Sequence, residues 1–260
     1  MFFNSKAIKA PLVGAFLFAV VLNSFPSVFA DDARTVEVKF VIDGDTVVLE
    51  NGEKVRLIGI NAPEKEFDQR PAQPYALEAL LALREMVQGR SARLISGRQQ
   101  KDTYGRTLGY LESTDGVDLQ QGLVSKGYAF VVAFPPDIDR LQRYLGAEAT
   151  ARAEQLGIWK DDTNPVADLD RNITLEDGFG LYRGNVLSIG RSRKNVRLEF
   201  SSGLIATIRH TDWKEYWSVA PESYQGETVE LRGWLRKASD KNKGRYYLRV
   251  RHPAMMQLVE

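Results

Sequence analysis

Starting at Val36, the run VEVKFVIDGDTVVL alternates apolar and polar residues on either side of Asp43-Gly44. No other feature limits the fold as much. A two-residue period sends successive side chains to opposite faces of an extended chain. Asp-Gly between two such runs is a hairpin signal. KVRLIGI from Lys54 to Ile60 continues the pattern as a third strand, and Ser91–Ser96 and Thr107–Glu112 supply two more, separated by the polar loop GRQQKDTYGR. Between the third and fourth strands Pro74 suits a helix N-terminus, and Ala76 to Val87 carries apolar residues at helical spacing. Shorter helices are expected at Leu119–Gly127 and Ile138–Leu156. The second would bury Leu141, Tyr144, Leu145, Ala149 and Ala153 and stop at Gly157. Five strands with helices packed on them predict an OB-type five-stranded barrel, in a mainly β protein with packed helices.

The tract DDTNPVADLD, 161–170, is polar with one proline, and reads as the start of a linker over 161–175. Beyond it the chain is again strand-rich: GNVLSI, NVRLEFSS, LIATIRH, TVELRGWLRK and YYLRVRHP. The insert TDWKEYWSVAPESY separates the third and fourth of these, so a second, smaller OB-like β-barrel is expected over 176–260. Charge divides along the same line. Residues 31–170 hold 17 basic and 24 acidic side chains, whereas 171–260 hold 16 basic and 10 acidic. A basic module beside an acidic one suggests that the basic one meets a polyanion. Arg232, Trp234, Arg236, Arg245 and Tyr247 are the candidates, since guanidiniums follow a phosphate backbone and aromatic faces stack on bases. The competing explanation is a small barrel whose aromatics are core and whose charges solvate it.

The first thirty residues are read separately. Lys6 and Lys9 precede the apolar run LVGAFLFAVVL, and Val28-Phe29-Ala30 offers small residues at the −3 and −1 positions of a cleavage site. The apolar core falls short of the roughly 20 residues a bilayer span needs. Residues 1–30 are therefore expected to be a signal peptide, leaving 31–160 as the first domain of an exported protein, periplasmic or secreted, without a stable membrane anchor. The chain has no cysteine and only two histidines, His210 and His252. Thiolate zinc sites, cysteine nucleophiles and multi-histidine metal sites are thereby excluded from the first domain. Chemistry there must run on carboxylates, amides, hydroxyls and arginine.

The first domain supplies those groups. Asp45 starts a strand after a turn; Arg56 lies within a strand, on the face opposite Val55 and Leu57; Glu64 follows Pro63 at a strand-to-loop junction; Arg106 follows Tyr104-Gly105 at the next strand. Singly, each is an ordinary turn, barrel or loop residue. Together, Asp43-Gly44-Asp45-Thr46, Arg56 eleven residues after Asp45, Asn61-Ala62-Pro63-Glu64 and Tyr104-Gly105-Arg106 resemble the thermonuclease (SNase-like, micrococcal nuclease type) family in order and spacing. The likeness spans roughly residues 36–160, through the closing L-G-I-W at 156–159.

The resemblance implies a metal-dependent endonuclease acting on DNA and RNA. Ca2+ would be held by Asp45, Asn61 and the Ala62 carbonyl. Glu64 would be the general base, and Arg56 and Arg106 would stabilise the pentavalent phosphorus; a guanidinium suits that dianion better than an ammonium. Tyr104 matches a family position beside a terminal phosphate. The tyrosines that bracket the base in the family's founding member have no counterpart near Val131 to Phe134, which leaves Phe134 to stack there. Asn61 stands where the family commonly has a second aspartate. An amide oxygen still ligates calcium but brings one charge fewer. The alternative is a catalytically impaired scaffold that binds nucleic acid or protein without cleaving it. No obligate protein partner is implied.

Overall fold

The computed structural model describes residues 33–66, 71–160, 166–238 and 245–259. The expected signal peptide lies outside them, and among the described residues no helix is long and apolar enough to cross a membrane.

β1 (Ala33–Asp43) and β2 (Thr46–Leu49) form the hairpin expected at Asp43-Gly44. β3 is Lys54–Leu57, β4 Ile60–Asn61, β5 Ser91–Lys101, β6 Thr107–Ser113 and β7 Phe130–Val131. The order β1-β2-β3-β6-β5 closes into a barrel. Closure is possible because β1 is long: Val38–Asp43 pairs with β2, while Ala33–Glu37 pairs with β5. β3 and β6 run parallel, with Val55 opposite Thr107. Val47, Leu49, Val55, Leu57, Leu94 and Leu111 fill the interior. Alternation thus specified the barrel, because one face of every strand had to leave water.

Two expectations change at the barrel's mouth. The polar tract GRQQK is an extension of β5, held by Asp137, whose carboxylate accepts from the Arg98 and Gln99 backbone N–H groups. Ile60 and Asn61 leave β3 and pair with β7 as a separate two-stranded sheet, Asn61 opposite Phe130.

Helix α1 occupies Ala76–Val87, burying Ala76, Ala79, Leu83 and Val87 at three- and four-residue intervals. It packs tightly on the hairpin turn: a Cβ at Gly44 would lie 2.6 Å from the Cβ atoms of both Ala62 and Ala79. Gly44 therefore serves close approach as well as the turn. α2 (Leu119–Ser125) is capped by Asp118, which accepts from the Gln121 N–H. α3 (Leu141–Ala153) buries Leu141, Tyr144, Glu148 and Ala151. The expected Ala149 and Ala153 are exposed, and a carboxylate takes their place in the stripe.

Past the undescribed residues 161–165, the expected linker joins the fold. β8 (Ala167–Asp168) pairs with β9, and Leu169 and Leu175 are buried. β9 (Gly178–Asn185), β10 (Ser188–Arg191), β11 (Asn195–Glu199), β12 (Leu204–Arg209), β13 (Thr228–Lys237), β14 (Tyr246–Arg249) and β15 (Met256–Leu258) complete the chain, with α4 (His210–Tyr216) after β12. The sheet order is β10-β11-β12-β14-β13-β9-β8, with β15 on β13. Its path begins and returns on one stretch, Gly178–Arg191, interrupted at Val186-Leu187. β12 and β14 are parallel, and a helix precedes the fourth strand. Every one of these relations repeats the first barrel, so the second sheet has the OB strand order as well.

Residues 32–260 make one compact body. The seam between the two sheets is partly aromatic: Phe130, Phe179, Trp234 and Phe134, in that order, have ring centroids 4.9–5.5 Å apart in successive pairs. It also contains a buried ion pair. Arg232 Nη1 lies 2.6 and 2.8 Å from the Glu148 carboxylate oxygens and donates to the Val131 carbonyl at 3.2 Å.

Candidate active site

The hairpin turn brings two carboxylates together. Asp43 Oδ1 accepts from the Asp45 N–H at 3.0 Å, and Asp45 is 5% exposed. Asp45 Oδ2 accepts from the Ala62 N–H at 2.8 Å and ion-pairs with Arg56 Nη2 at 3.0 Å. Asp45 Oδ1 accepts from the Thr46 hydroxyl at 3.0 Å. Burial and the Asp45 charge push the Asp43 carboxyl up to about 7, against the pull of the Asp45 N–H and of Arg56. Asp43 and Asp45 thus form a pair in which one member resists ionising beside the other.

Arg56 sits half-buried on the side of β3 that Val55 and Leu57 leave, as alternation required. Its Nη1 donates to the Leu57 carbonyl at 2.6 Å and its Nη2 reaches Asn61 Oδ1 at 3.3 Å. Asn61 is buried, and its Nδ2 has no hydrogen-bond partner. A buried amide left half-satisfied costs about 1–3 kcal/mol, so this position is held by its surroundings rather than by its own bonds. The surroundings are the β4–β7 pairing on one side and Arg56 on the other.

Glu64 stands exposed at the rim. Its backbone is fixed by an exchange with Gln73: the Glu64 N–H donates to Gln73 Oε1 at 2.8 Å, and the Gln73 N–H donates to the Glu64 carbonyl at 2.8 Å. Partial desolvation at the mouth and the nearby Asp45 charge raise its carboxyl above the ordinary value, while Arg56 and Arg106 pull it down. All four charged groups therefore share one electrostatic neighbourhood, although they come from the first hairpin, β3, the loop after β4 and the start of β6.

Arg106 is anchored through Nε to Asp102 Oδ2 at 2.7 Å. Asp102 Oδ1 also accepts from the Tyr104 and Arg106 N–H groups, at 2.9 and 3.0 Å. Against burial, these bonds hold the Asp102 carboxyl below its usual range. Among the described residues the terminal nitrogens of Arg106 have no partner, which leaves the planar edge that grips two oxygens at once. Tyr104 is 79% exposed, with the Arg106 guanidinium 5.5 Å from its ring centre. Tyr104 and Arg106 border an open concavity of about 450 Å³ also lined by Lys54 and Lys101.

The other expected site residues lie elsewhere. Phe134 is tilted on Trp234 with Arg251 5.9 Å from its ring centre, so it belongs to the seam. Arg232 is buried on Glu148, because the seam supplies it with a carboxylate. It does not contact solvent as a nucleic-acid residue must. Trp234 lies between Phe134 and Phe179. Arg236 and Arg245 are exposed and Tyr247 half-buried. Sequence reasoning passed over Asp43, Gln73 and Asp102 as site residues. Asp102 had a readable signal, an aspartate placed to accept backbone N–H groups two and four residues on. Gln73 had none, since its role depends on how the loop closes.

The model of the family described as staphylococcal nuclease homologue matches residues 54–161. The thermonuclease of Staphylococcus intermedius is 35% identical over 126 residues, 47% of this chain and 74% of that protein. The thermonuclease of Staphylococcus hyicus is 30% identical over 131 residues, 49% and 77% of the two chains. An uncharacterised endonuclease of Escherichia coli is 32% identical over 147 residues, 55% of this chain and 86% of its own. The family match ends at residue 161, so the second sheet lies outside it.

Proposed function

The chain belongs to the staphylococcal nuclease homologue family, and on that premise we propose that it is an endonuclease that hydrolyses the phosphodiester bonds of DNA and RNA. The observation that carries the reading is the Asp45–Arg56 ion pair and the free edge of the Asp102-held Arg106, both close enough to Glu64 to act on its carboxyl. Hydrolysis needs a base for the attacking water and positive charge for the phosphorus that gains an oxygen. Glu64, whose carboxyl is raised above its ordinary value by partial burial and the Asp45 charge, takes the proton of water. Arg56 and Arg106 bind the non-bridging oxygens, Arg106 through its free edge. The two arginines enter differently, Arg56 already tied to Asp45 and Arg106 held from behind by Asp102. Tyr104, with Lys54 and Lys101 beside it, continues the positive surface away from the reacting phosphate.

A divalent cation fits the donor set. Two carboxylates, Asp43 and Asp45, with the Asn61 amide and the Ala62 carbonyl offer only hard oxygen ligands, suited to calcium or magnesium. The raised Asp43 carboxyl marks a place short of positive charge. Among the described residues no three acidic or histidine side chains cluster to share an ion, so the set is lean in charge. When bound, the cation would neutralise phosphate charge. The leader-like first thirty residues support an exported enzyme, acting in the periplasm or outside the cell.

The test is release of nucleotides from single-stranded DNA by the full chain in calcium, magnesium or chelator, with Arg106→Lys alongside. Ion-dependent release that drops at least a hundredfold in Arg106→Lys supports the reading. Binding without release under every ion condition overturns it.

A further inference from the structure

On the second sheet, Ala206, Ile208, Leu248 and Val250 are fully buried. Alternation then turns Thr207 and Arg209 of β12, and Arg249 and Arg251 beyond Leu248, to the opposite side. β12 and β14 run parallel with Thr207 beside Arg249, and the Val250 N–H continues the ladder onto the Thr207 carbonyl, which sets Arg209 level with Arg251. On the other flank Arg197 of β11 lies opposite Thr207. With strands about 4.8 Å apart, the backbone positions of these four arginines span a patch on the order of 10 Å across.

The described residues give none of the four a carboxylate ion pair, whereas Arg34, Arg93, Arg98, Arg106, Arg140 and Arg152 of the first barrel all have one. Arg197 Nε and Arg251 Nε are buried without any partner. Arg197 lies flat on Gly190, where an added Cβ would meet its Nη2 at 3.1 Å. Arg251 Nη2 donates to the Pro135 carbonyl at 2.7 Å. Burial and the charges of Arg209 and Arg251 lower the proton affinity of Arg249, with Asp212 the opposing carboxylate. Four unpaired like charges held this close cost stability unless an anion joins them.

We propose that this face binds the phosphate backbone of a single-stranded nucleic acid, as a second contact for the strand cut at the first barrel. The proposal rests on the nuclease reading for the identity of that strand. The face lies on strands two, three and five of an OB order, with Arg193 and Lys194 exposed in the loop between strands one and two. Tyr247, beside Arg236 and on the same side as Arg249, adds a ring for stacking. It adjoins the site through one loop. Arg251 grips Pro135 and overlies Phe134, and that loop follows β7, whose partner strand carries Asn61. The first barrel is net acidic and repels a polyanion, so retention of a long strand falls to this face. The positions differ from those the sequence suggested, since Arg232 and Trp234 are consumed by the seam.

The test is fluorescence anisotropy of labelled oligo-dT, about 20 nucleotides long, with the full chain in chelator so that no cleavage intervenes. Arg209→Gln with Arg249→Gln should weaken binding roughly tenfold and reduce the salt slope by about 1.4. Arg84→Gln with Arg90→Gln, an equal loss of charge on the first barrel, should leave both unchanged. Cleavage of a dinucleotide, too short to reach the face, should be the same in all three proteins. Equal binding by the Arg209/Arg249 variant overturns the proposal, and so does an equal loss in the control variant. Polyglutamate competing as well as oligo-dT at equal charge overturns it too, by making the face a general acid binder. If wild type fails to cleave yet the binding difference holds, the nuclease reading falls and this one stands.

Discussion

Replacing Arg232 by alanine removes the only cation facing Glu148 among the described residues and leaves that carboxylate in the seam, where the two side chains are 6% and 5% exposed. An uncompensated buried charge of this kind costs about 3–5 kcal/mol. In a protein of this size each kcal/mol moves the melting temperature by about 2–4 °C, so a fall of roughly 6–20 °C is expected. The companion variant Arg232→Met with Glu148→Gln keeps the volume, and the glutamine oxygen still accepts the Val131 N–H that Glu148 holds at 2.7 Å. It should recover most of the loss, because the pair itself nearly breaks even against well-packed neutral groups. Thermal melts of the three proteins by circular dichroism decide the matter. A fall below about 2 °C in Arg232→Ala, or a double variant no better than the single one, refutes the claim that this pair joins the two sheets.

Asn61→Asp adds a charge at an amide whose Nδ2 has no partner to lose. It should tighten calcium binding about tenfold by titration calorimetry, and unchanged affinity would remove Asn61 from the ligand set. Asp43 has a folded-state carboxyl at about 7 against an ordinary 3.8. Its contribution to stability is complete below 3.8 and is lost as pH rises through 7, because the folded state holds the proton more tightly than the unfolded chain. In chelator, Asp43→Asn should therefore melt with the wild type near pH 3.5 but higher at pH 8, by on the order of 2 kcal/mol after solvent screening at the turn. A constant difference at both pH values would contradict the Asp43–Asp45 repulsion.

Much of the fold was legible because alternation and turn chemistry are local. VEVKFVIDGDTVVL specified a hairpin and Ala76–Val87 a helix; the helix stands where the pattern put it, while the first strand starts three residues earlier, at Ala33, where it pairs with β5. Four of the five strands expected in the second half were equally readable, since buried faces repeat at Val196/Leu198 and at Val229/Leu231/Leu235, whereas GNVLSI straddles the break between β9 and β10. What pairs across distance was not. Leu169 looked like part of a linker until β9 gave it a place to be buried. Arg232 read as a nucleic-acid contact because nothing within a window of sequence shows that Glu148 neutralises it. That Phe134 and Trp234 meet in the seam was hidden for the same reason, as a ring's partner there is set by the other sheet. Asp45, Arg56, Glu64 and Arg106 were singled out through the family resemblance their order and spacing carry. Asp102 and Gln73, which hold two of them in place, depend on loop closure.

The central claim is that Glu64 activates the water while the arginines and the cation hold the phosphate. Single-turnover cleavage of a DNA strand by wild type and Glu64→Gln, at saturating calcium and with binding measured in parallel, tests it most directly. The account predicts that Glu64→Gln loses about 10²–10⁴ in rate, the range of general acid–base catalysis, while binding the strand as tightly as the wild type. Glutamine cannot take the proton, yet it keeps the shape. Cleavage by Glu64→Gln within threefold of wild type would contradict that assignment.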